Sequence, residues 1–242
     1  MVERNDVIIL AGGKGTRLAE LTSNRPKGLV FIGDRPILWH IMSIFALQGH
    51  MRFVLCLGHM SDQIIDYFSN KDNVDAGWEI IFDDTGPDTL KSKRLKSALK
   101  YIKTKNFFLA YGDDLANVNL ADLKNCSQQS ASMVTMTAVR PKSQYGVLRF
   151  DKDKNITSIE EKPRSDDWIN GGFMLISTEI CSYLDLGELE DVVLPKLVKL
   201  NAVSVYMHSG FWLAMNNYKE FLELEGIYNE NISSNSKLPW TR

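Results

Sequence analysis

The chain has 242 residues, of which 44% are hydrophobic and 24% are charged, and this is the composition of an ordinary globular protein. Its formal net charge of −2 argues against a protein that coats nucleic acid, because such proteins need a strong basic surplus. No apolar run is long enough to span a bilayer and the first residues lack the pattern of a signal peptide, so we expect a cytoplasmic protein that binds neither nucleic acid nor a membrane.

The first half of the chain alternates short β-rich runs with helical patterns. Val7–Leu10 is continuously apolar, as expected of a strand buried on both faces of a sheet. The predicted strands are Val7–Leu10, 29–32, Arg52–Leu57, 78–82 and Asn106–Tyr111, and the predicted helices are 36–45, 62–68 and 94–101. This alternation predicts an α/β fold with βαβ crossovers and a mostly parallel, doubly wound sheet.

The second half is richer in β-strand patterns. The predicted strands are 132–139, 146–150, 156–159 and 172–176, and helical patterns return near 192–200 and 217–228. No linker composition separates this β-rich extension from the first half, so we predict a single domain over residues 1–230. Residues 231–242 are polar, and we expect this tail to be poorly ordered unless it docks on a partner.

A glycine-rich loop after the first predicted strand gives the strongest indication of function. Gly12, Gly13 and Gly15 let the backbone approach phosphate oxygens and point several N–H groups at them. Arg17 can bind phosphate through two hydrogen bonds, and the loop lies at the carboxyl edge of the sheet, where open α/β folds bind ligands. The loop is neither a Walker A motif, which needs a Lys followed by Ser or Thr, nor a dinucleotide fingerprint, which needs glycine where Leu18 stands. A turn without a ligand would not explain the three glycines together with Arg17.

Two further charged residues belong to the same edge of the predicted sheet. Lys27 follows Pro26, which holds the segment extended and directs the lysine back over the phosphates, although a lysine after proline is also common on solvated surfaces. Asp113 ends the apolar strand 107–111, which would hold its carboxylate at the carboxyl edge; a solvated turn is the alternative. Asp114 is adjacent and is a candidate to assist Asp113.

Together these residues resemble the sugar-nucleotide pyrophosphorylase superfamily, whose first loop has the pattern of residues 10–18 and is followed by a Pro-Lys pair like Pro26-Lys27. Within it, the chain is most similar to the glucose-1-phosphate cytidylyltransferases. The matching stretches are 36–42, 84–89, 94–96, 111–113, 161–163, 168–173 and 208–212. The resemblance implies a Rossmann-like nucleotidyltransferase fold of the nucleotide-diphospho-sugar transferase type, dependence on Mg²⁺, a homo-oligomer and a role in capsule or surface polysaccharide biosynthesis. It also implies that the enzyme transfers CMP from CTP to a phosphorylated small metabolite and releases pyrophosphate.

The resemblance assigns a role to each candidate site residue. The catalytic residues are Lys27, Arg17 and Asp113, and the metal ligands are Asp113 and Asn216. The nucleotide-binding residues are Leu10, Ala11, Gly12, Gly13, Gly15, Thr16, Arg17, Arg94 and Gly112. The acceptor-binding residues are Tyr145, Gly146, Glu161, Lys162, Asn170, Gly171 and Trp212. Without the resemblance, Arg94 would be interpreted as a helix-surface arginine and Glu161-Lys162 as part of a surface turn.

The sequence departs from the family pattern at two places. Asn216 stands where the family has a metal-binding aspartate, and a neutral amide oxygen should bind metal more weakly than a carboxylate. Ser92-Lys93-Arg94 replaces the family's Gly-Gly-Arg. These departures leave the identity of the acceptor open. It is glucose 1-phosphate, another sugar phosphate, or a non-sugar phosphate such as phosphocholine or phosphoglutamine, and the carboxylate of phosphoglutamine could contact Lys93. A uridylyl- or thymidylyltransferase and a non-catalytic nucleotide-binding paralogue are the remaining alternatives.

Overall fold

A seven-stranded sheet forms the centre of the protein, seen in a computed structural model that describes residues 4–241. The strands are β1 Val7–Leu10, β2 Phe31–Ile32, β3 Arg35–Pro36, β4 Arg52–Leu57, β5 Glu79–Asp84, β6 Asn106–Tyr111, β7 Asp114–Ala116, β8 Val134–Val139, β9 Val147–Phe150, β10 Ile156–Glu160, β11 Ile169–Ser177, β12 Val203–His208 and β13 Trp212–Ala214. The order in the main sheet is β12-β8-β11-β6-β1-β4-β5. All neighbours pair in parallel except β11, which is antiparallel to both β6 and β8. The predicted α/β fold with a mostly parallel sheet is confirmed.

Helices cover both faces of this sheet. They are α1 Ala19–Thr22, α2 Ile37–Ala46, α3 Ser61–Ser69, α4 Lys91–Ala98, α5 Leu120–Ser130, α6 Leu194–Lys199 and α7 Tyr218–Ser233. Within β1, Val7 and Ile9 join one apolar core and Ile8 and Leu10 join the other, because successive side chains of a strand point to opposite faces. The continuous apolar run of β1 is therefore buried on both sides. Within residues 4–241, no helix is both long enough and apolar enough to cross a membrane.

The structure differs from the sequence prediction in several elements. Residues 29–32, predicted as one strand, form the end of a 3-10 turn, Lys27–Leu29, followed by the two-residue strand β2. The turn is closed by hydrogen bonds from Leu29 N to Pro26 O at 2.9 Å and from Val30 N to Lys27 O at 3.0 Å. Gly28 in this turn packs tightly against α2, where an added Cβ would be 2.4 Å from Leu38 Cδ1. Helix α5 and strand β12 were not predicted. Asn119 caps α5 by accepting hydrogen bonds from the backbone N–H groups of the first turn, a signal that is present in the sequence.

The C-terminal tail is packed against the body of the protein. Helix α7 continues to Ser233, beyond the predicted boundary at residue 230. Trp240 is 1% exposed and belongs to the larger apolar core, and its Nε1 donates to His40 Nδ1 at 3.3 Å. This docking replaces the poorly ordered tail that the sequence predicted. Residues 1–3 and 242 lie outside the described residues, so the predictions for the extreme N-terminus and for Arg242 are not addressed.

Candidate active site

A cavity of about 670 Å³ opens at the carboxyl ends of β1 and β6. This is the edge of the sheet at which the sequence placed its candidate residues. The cavity brings together fourteen of them: Leu10, Ala11, Gly12, Gly13, Gly15, Thr16, Arg17, Lys27, Arg94, Gly112, Asp113, Asn170, Trp212 and Asn216.

The glycine loop forms one wall of the cavity, and its backbone conformation depends on two glycines. Gly15 has φ 64° and ψ 24°, the left-handed conformation that glycine adopts without strain, and it precedes a 3-10 turn over Thr16–Leu18. At Gly12 an added Cβ would lie 2.5 Å from Arg94 Nη1 and 2.9 Å from the carbonyl carbon of Leu57. A larger residue at either position would therefore displace the loop from the cavity wall.

Arg94 supports the loops that surround the cavity. It is only 4% exposed, and its guanidinium donates to the carbonyl oxygen of Leu57, to Thr85 Oγ1 at 2.8 Å and to Gly86 O at 2.7 Å. A longer bond of 3.4 Å reaches Gly12 O in the glycine loop. Burial lowers the pKa of the guanidinium, against the raising effect of nearby acidic groups. These donors hold the surrounding loops, so Arg94 is a buried positioning residue and not a surface arginine. Its contact with a phosphate stays a prediction.

Lys27 and Asp113, both predicted to be catalytic, are in direct contact in the cavity. Lys27 Nζ lies 2.5 Å from Asp113 Oδ2, and the two side chains are 17% and 25% exposed. The extended conformation of Pro26, at φ −68° and ψ 149°, starts the turn that carries Lys27. On the other side, the carbonyl oxygen of Asp113 accepts a hydrogen bond from Met215 N at 2.8 Å, which fixes the segment after β6. A cation and a carboxylate separated by 86 residues in sequence are thus held together beside the glycine loop.

Asp114 is a buried acid on the floor of the cavity. Burial raises the pKa of its carboxyl well above the usual range, the negative charge of Asp113 adds to this, and Lys27 opposes it. Gly172 makes room for the Asp114 side chain, since an added Cβ would lie 2.0 Å from its Oδ2, and Gly172 also has a positive φ of 82°. These surroundings favour the neutral form of the Asp114 carboxyl, next to Asp113, which is paired with Lys27.

Asn216 lies beside Asp113 because β13 pairs with β7, with Ala214 opposite Asp114. The backbone N–H of Asn216 donates to Glu220 Oε2 at 2.7 Å. Within residues 4–241, no group of three or more His, Cys, Asp or Glu side chains is arranged to hold a metal ion. Mg²⁺ in phosphate-transfer sites commonly takes one or two protein carboxylates together with waters and substrate phosphates. Asp113 and Asn216 offer oxygen donors that fit such a partial ligand set.

Four of the predicted acceptor-binding residues do not line the cavity. Tyr145, Gly146, Glu161 and Lys162 lie next to the hairpin of β9 and β10, strands that pair only with each other in the described chain. Tyr145 is 77% exposed, and the side chains of Glu161 and Lys162 are 73% and 52% exposed. The structure therefore does not bring these four residues to the site, because no pairing with the main sheet draws the hairpin inward. Gly171 is also outside the lining, but its carbonyl oxygen orients Trp212 by accepting from Nε1 at 3.0 Å.

Tyr111, Lys91 and Glu190 were not predicted as site residues, and with the predicted Asn170 they form a polar cluster in the cavity wall. Glu190 Oε1 accepts hydrogen bonds from Tyr111 OH at 2.8 Å and from Lys91 Nζ at 2.7 Å. Asn170 Nδ2 donates to Tyr111 OH at 3.3 Å. Burial, followed by the charge of Glu190, raises the pKa of Tyr111, so its hydroxyl stays protonated. These residues come from four separate segments, and no local motif links them.

Lys93 lies away from this cluster although it is only two residues from Lys91. Its Nζ pairs with Asp185 Oδ1 at 2.5 Å, and Lys93 is not among the residues that line the cavity. The hypothesis that Lys93 contacts a carboxylate on the acceptor is therefore not supported by the geometry. Ser92 is fully buried, and its hydroxyl has no hydrogen-bond partner in the described chain.

The sequence is similar to a known family over most of its length. The sequence profile of the nucleotidyl transferase family matches residues 6–225. The chain is 38% identical to "Probable glucose-1-phosphate cytidylyltransferase" of Bacillus subtilis, over 92% of this chain and 96% of that protein. It is 30% identical to glucose-1-phosphate cytidylyltransferase of Salmonella typhi, over 96% of this chain and 97% of that protein.

Solved structures share the fold. HddC from Yersinia pseudotuberculosis is 26% identical, covers 92% of this chain and 98% of its own, and superimposes with a TM-score of 0.74. The same protein complexed with GMP-PN gives a TM-score of 0.73. The similarity thus extends over nearly the whole chain in structure as well as in sequence.

Proposed function

Since this chain belongs to the nucleotidyl transferase family, we propose that it transfers CMP from CTP to glucose 1-phosphate and releases pyrophosphate. The observation that carries this proposal is the contact of Lys27 with Asp113 beside the glycine loop. The choice of CTP and of a sugar phosphate comes from the names of the relatives that match this chain almost from end to end. These relatives do not favour phosphocholine or phosphoglutamine as the acceptor.

The reaction needs charge neutralisation and alignment, and it needs no general base. A phosphate oxygen of glucose 1-phosphate attacks the α-phosphorus of CTP, the bond from that phosphorus to the β-phosphate oxygen breaks, and pyrophosphate leaves as CDP-glucose forms. The attacking oxygen is already an anion. Backbone N–H groups of the glycine loop and Arg17 bind the pyrophosphate portion, and Lys27 stabilises the negative charge at the α-phosphate.

We further propose that Mg²⁺ is bound by Asp113 and Asn216 together with phosphate oxygens of the nucleotide. When bound, the ion neutralises phosphate charge and orients the triphosphate. Asp113 in addition orients the ammonium group of Lys27, to which it is paired. A cytoplasmic location, a homo-oligomer and a role in capsule or surface polysaccharide biosynthesis stay predictions.

A turnover assay tests the proposed function. Pyrophosphate release is measured with each of the four NTPs crossed with glucose 1-phosphate, other sugar 1-phosphates, phosphocholine and phosphoglutamine, in the presence of Mg²⁺. We expect CTP with glucose 1-phosphate to give the highest kcat/KM. A preference for UTP or dTTP would show that the proposed nucleotide donor is wrong, and a preference for a non-sugar acceptor would show that the proposed acceptor class is wrong. No pyrophosphate release with any pair would indicate a non-catalytic paralogue.

A further inference from the structure

The cluster around Glu190 has a hydrogen-bond acceptor that the protein leaves free. Both hydrogen bonds to the Glu190 side chain, from Tyr111 and from Lys91, end on Oε1. Oε2 accepts no hydrogen bond from the described residues. The side chain is 29% exposed, and it lines the cavity. A carboxylate oxygen that faces a ligand cavity without a partner is suited to accept a hydrogen bond from the ligand.

The chemistry of this wall matches a hydroxyl group and not a phosphate. A carboxylate oxygen without a partner repels an anion and is suited to accept a hydrogen bond from a hydroxyl group. The glycine loop and Arg17, which are suited to bind phosphate, also line the cavity. A neutral O–H donor bound to an ionised acceptor forms one of the stronger hydrogen bonds found in proteins.

The neighbours of Glu190 hold its carboxylate in a fixed position relative to the catalytic pair. Tyr111 lies two residues before Asp113 at the end of β6, and Asn170 donates to the Tyr111 hydroxyl from the start of β11. The Lys91 ammonium group lies 5.3 Å from the centre of the Tyr111 ring. Two donors on Oε1 and a cation over the Tyr111 ring restrict the rotation of the carboxylate, so the Glu190 side chain keeps one position in the cavity wall.

We propose that Glu190 is a specificity-determining residue that accepts a hydrogen bond from a ring hydroxyl of a sugar in the substrates. This inference rests on the proposed function, in which two substrates carry such hydroxyls: the hexose of the acceptor and the ribose of CTP. Both present the same chemistry to Oε2. Lys91 and Tyr111 act through Glu190 and are positioning residues.

Deoxy analogues of the two substrates test this inference and identify which sugar is bound. The kcat/KM values of the wild-type enzyme and of Glu190→Ala are measured with glucose 1-phosphate, its 2-, 3-, 4- and 6-deoxy analogues, and 2′-deoxy- and 3′-deoxy-CTP. We expect the kcat/KM of the wild type to fall by about 10- to 100-fold with one of these deoxy analogues, because a site that binds a hydroxyl group discriminates against a substrate that lacks it. In Glu190→Ala the same deoxy analogue should lower kcat/KM by less than about 3-fold, because the residue that binds the hydroxyl group is absent.

Two further variants separate ligand recognition from structural damage. Glu190→Gln keeps the size of the side chain and should show a raised KM for the sugar concerned with a kcat within about threefold of the wild type. Lys93→Ala is the matched control for Lys91→Ala, since Lys93 is on the same helix but pairs with Asp185 outside the cavity lining. The deoxy penalty is the fall in kcat/KM when the substrate lacks the hydroxyl group. Lys91→Ala should reduce this penalty, and Lys93→Ala should leave it unchanged.

The outcomes distinguish this inference from the proposed function. If the wild type does not use glucose 1-phosphate with CTP, the proposed function fails. If Glu190→Ala turns over but keeps every deoxy penalty of the wild type, or loses activity equally with all analogues, the role of Glu190 is rejected. For a variant too slow to assay, calorimetry with CDP-glucose and its deoxy forms gives the same comparison, and retained penalties in binding would again overturn the inference.

Discussion

At the scale of single residues, the contact between Lys27 and Asp113 is the feature from which the chemistry follows. Each residue alone has an ordinary surface interpretation, a lysine after proline and an aspartate after a strand. The distance of 2.5 Å between Lys27 Nζ and Asp113 Oδ2 makes them an ion pair within the cavity. Asp113 orients the ammonium group of Lys27, and under the proposed function an incoming nucleotide meets a cation whose position is already fixed.

Replacement of this lysine should abolish most of the turnover. We expect Lys27→Ala to reduce kcat by at least about 100-fold, the size of the loss when one charge-stabilising donor is removed from an active site. Lys105→Ala is the control, since Lys105 is 79% exposed and precedes β6 at the opposite edge of the sheet. The measurement is pyrophosphate release at saturating CTP, and wild-type turnover by Lys27→Ala would reject the role of the lysine.

The proposed metal ligands lead to a second prediction at this scale. Asn216→Asp replaces a neutral oxygen with a charged one beside Asp113, so it should tighten binding of the divalent cation. Mn²⁺ binding in the presence of CTP, followed by electron paramagnetic resonance, should show a dissociation constant lower by about tenfold or more. Glu220→Gln serves as the control, because Glu220 accepts from the backbone of Asn216. Equal Mn²⁺ affinity in the wild type and Asn216→Asp would place the ion elsewhere.

At the scale of elements, the C-terminal segment after α7 is part of the core. Trp240 packs beside His40 and Phe211, and its indole N–H donates to the His40 ring. His40 Nε2 in turn lies 2.9 Å from the carbonyl oxygen of Ile32. Burial lowers the pKa of His40, which is consistent with a neutral ring between these two partners. His40 is thus the point at which the tail docks.

This docking predicts a large effect on stability from a residue near the end of the chain. Trp240→Ala should lower the free energy of unfolding by about 3–5 kcal/mol, the usual cost of removing a buried aromatic side chain. Trp168→Ala is the matched control, because Trp168 is 41% exposed and its loss should be small. Urea denaturation followed by circular dichroism measures both variants. Similar unfolding midpoints for the two would show that the tail does not stabilise the fold.

At the scale of the whole molecule, the cavity has two chemically different walls. The glycine loop and Arg17 form one wall, and Tyr111, Asn170 and the ion pair of Glu190 with Lys91 form the other. The ion pair of Lys27 and Asp113 belongs to the same cavity. This division matches a pair of substrates that carry phosphates at the reacting centre and hydroxyl groups away from it.

The sequence by itself determined the fold class and the position of the glycine loop at the cavity. The apolar run of β1, the three glycines and Arg17 lie within twelve residues of each other, so periodicity and spacing were enough to predict a loop at the carboxyl edge of a parallel sheet. The turn at Lys27 and the strand before Asp113 were likewise local signals. Their direct contact was not predicted from the sequence and is seen only in the tertiary structure.

Only the tertiary structure decided the rest of the site. Arg94 became a buried support because three loops converge on its guanidinium, and a helix pattern carries no information on such convergence. Glu190 meets Tyr111 and Lys91 from segments 79 and 99 residues away, so no spacing rule could find it. Conversely, Lys162 fitted a motif but lies beside an exposed hairpin, because a motif specifies residue types and the pairing of strands decides where they lie.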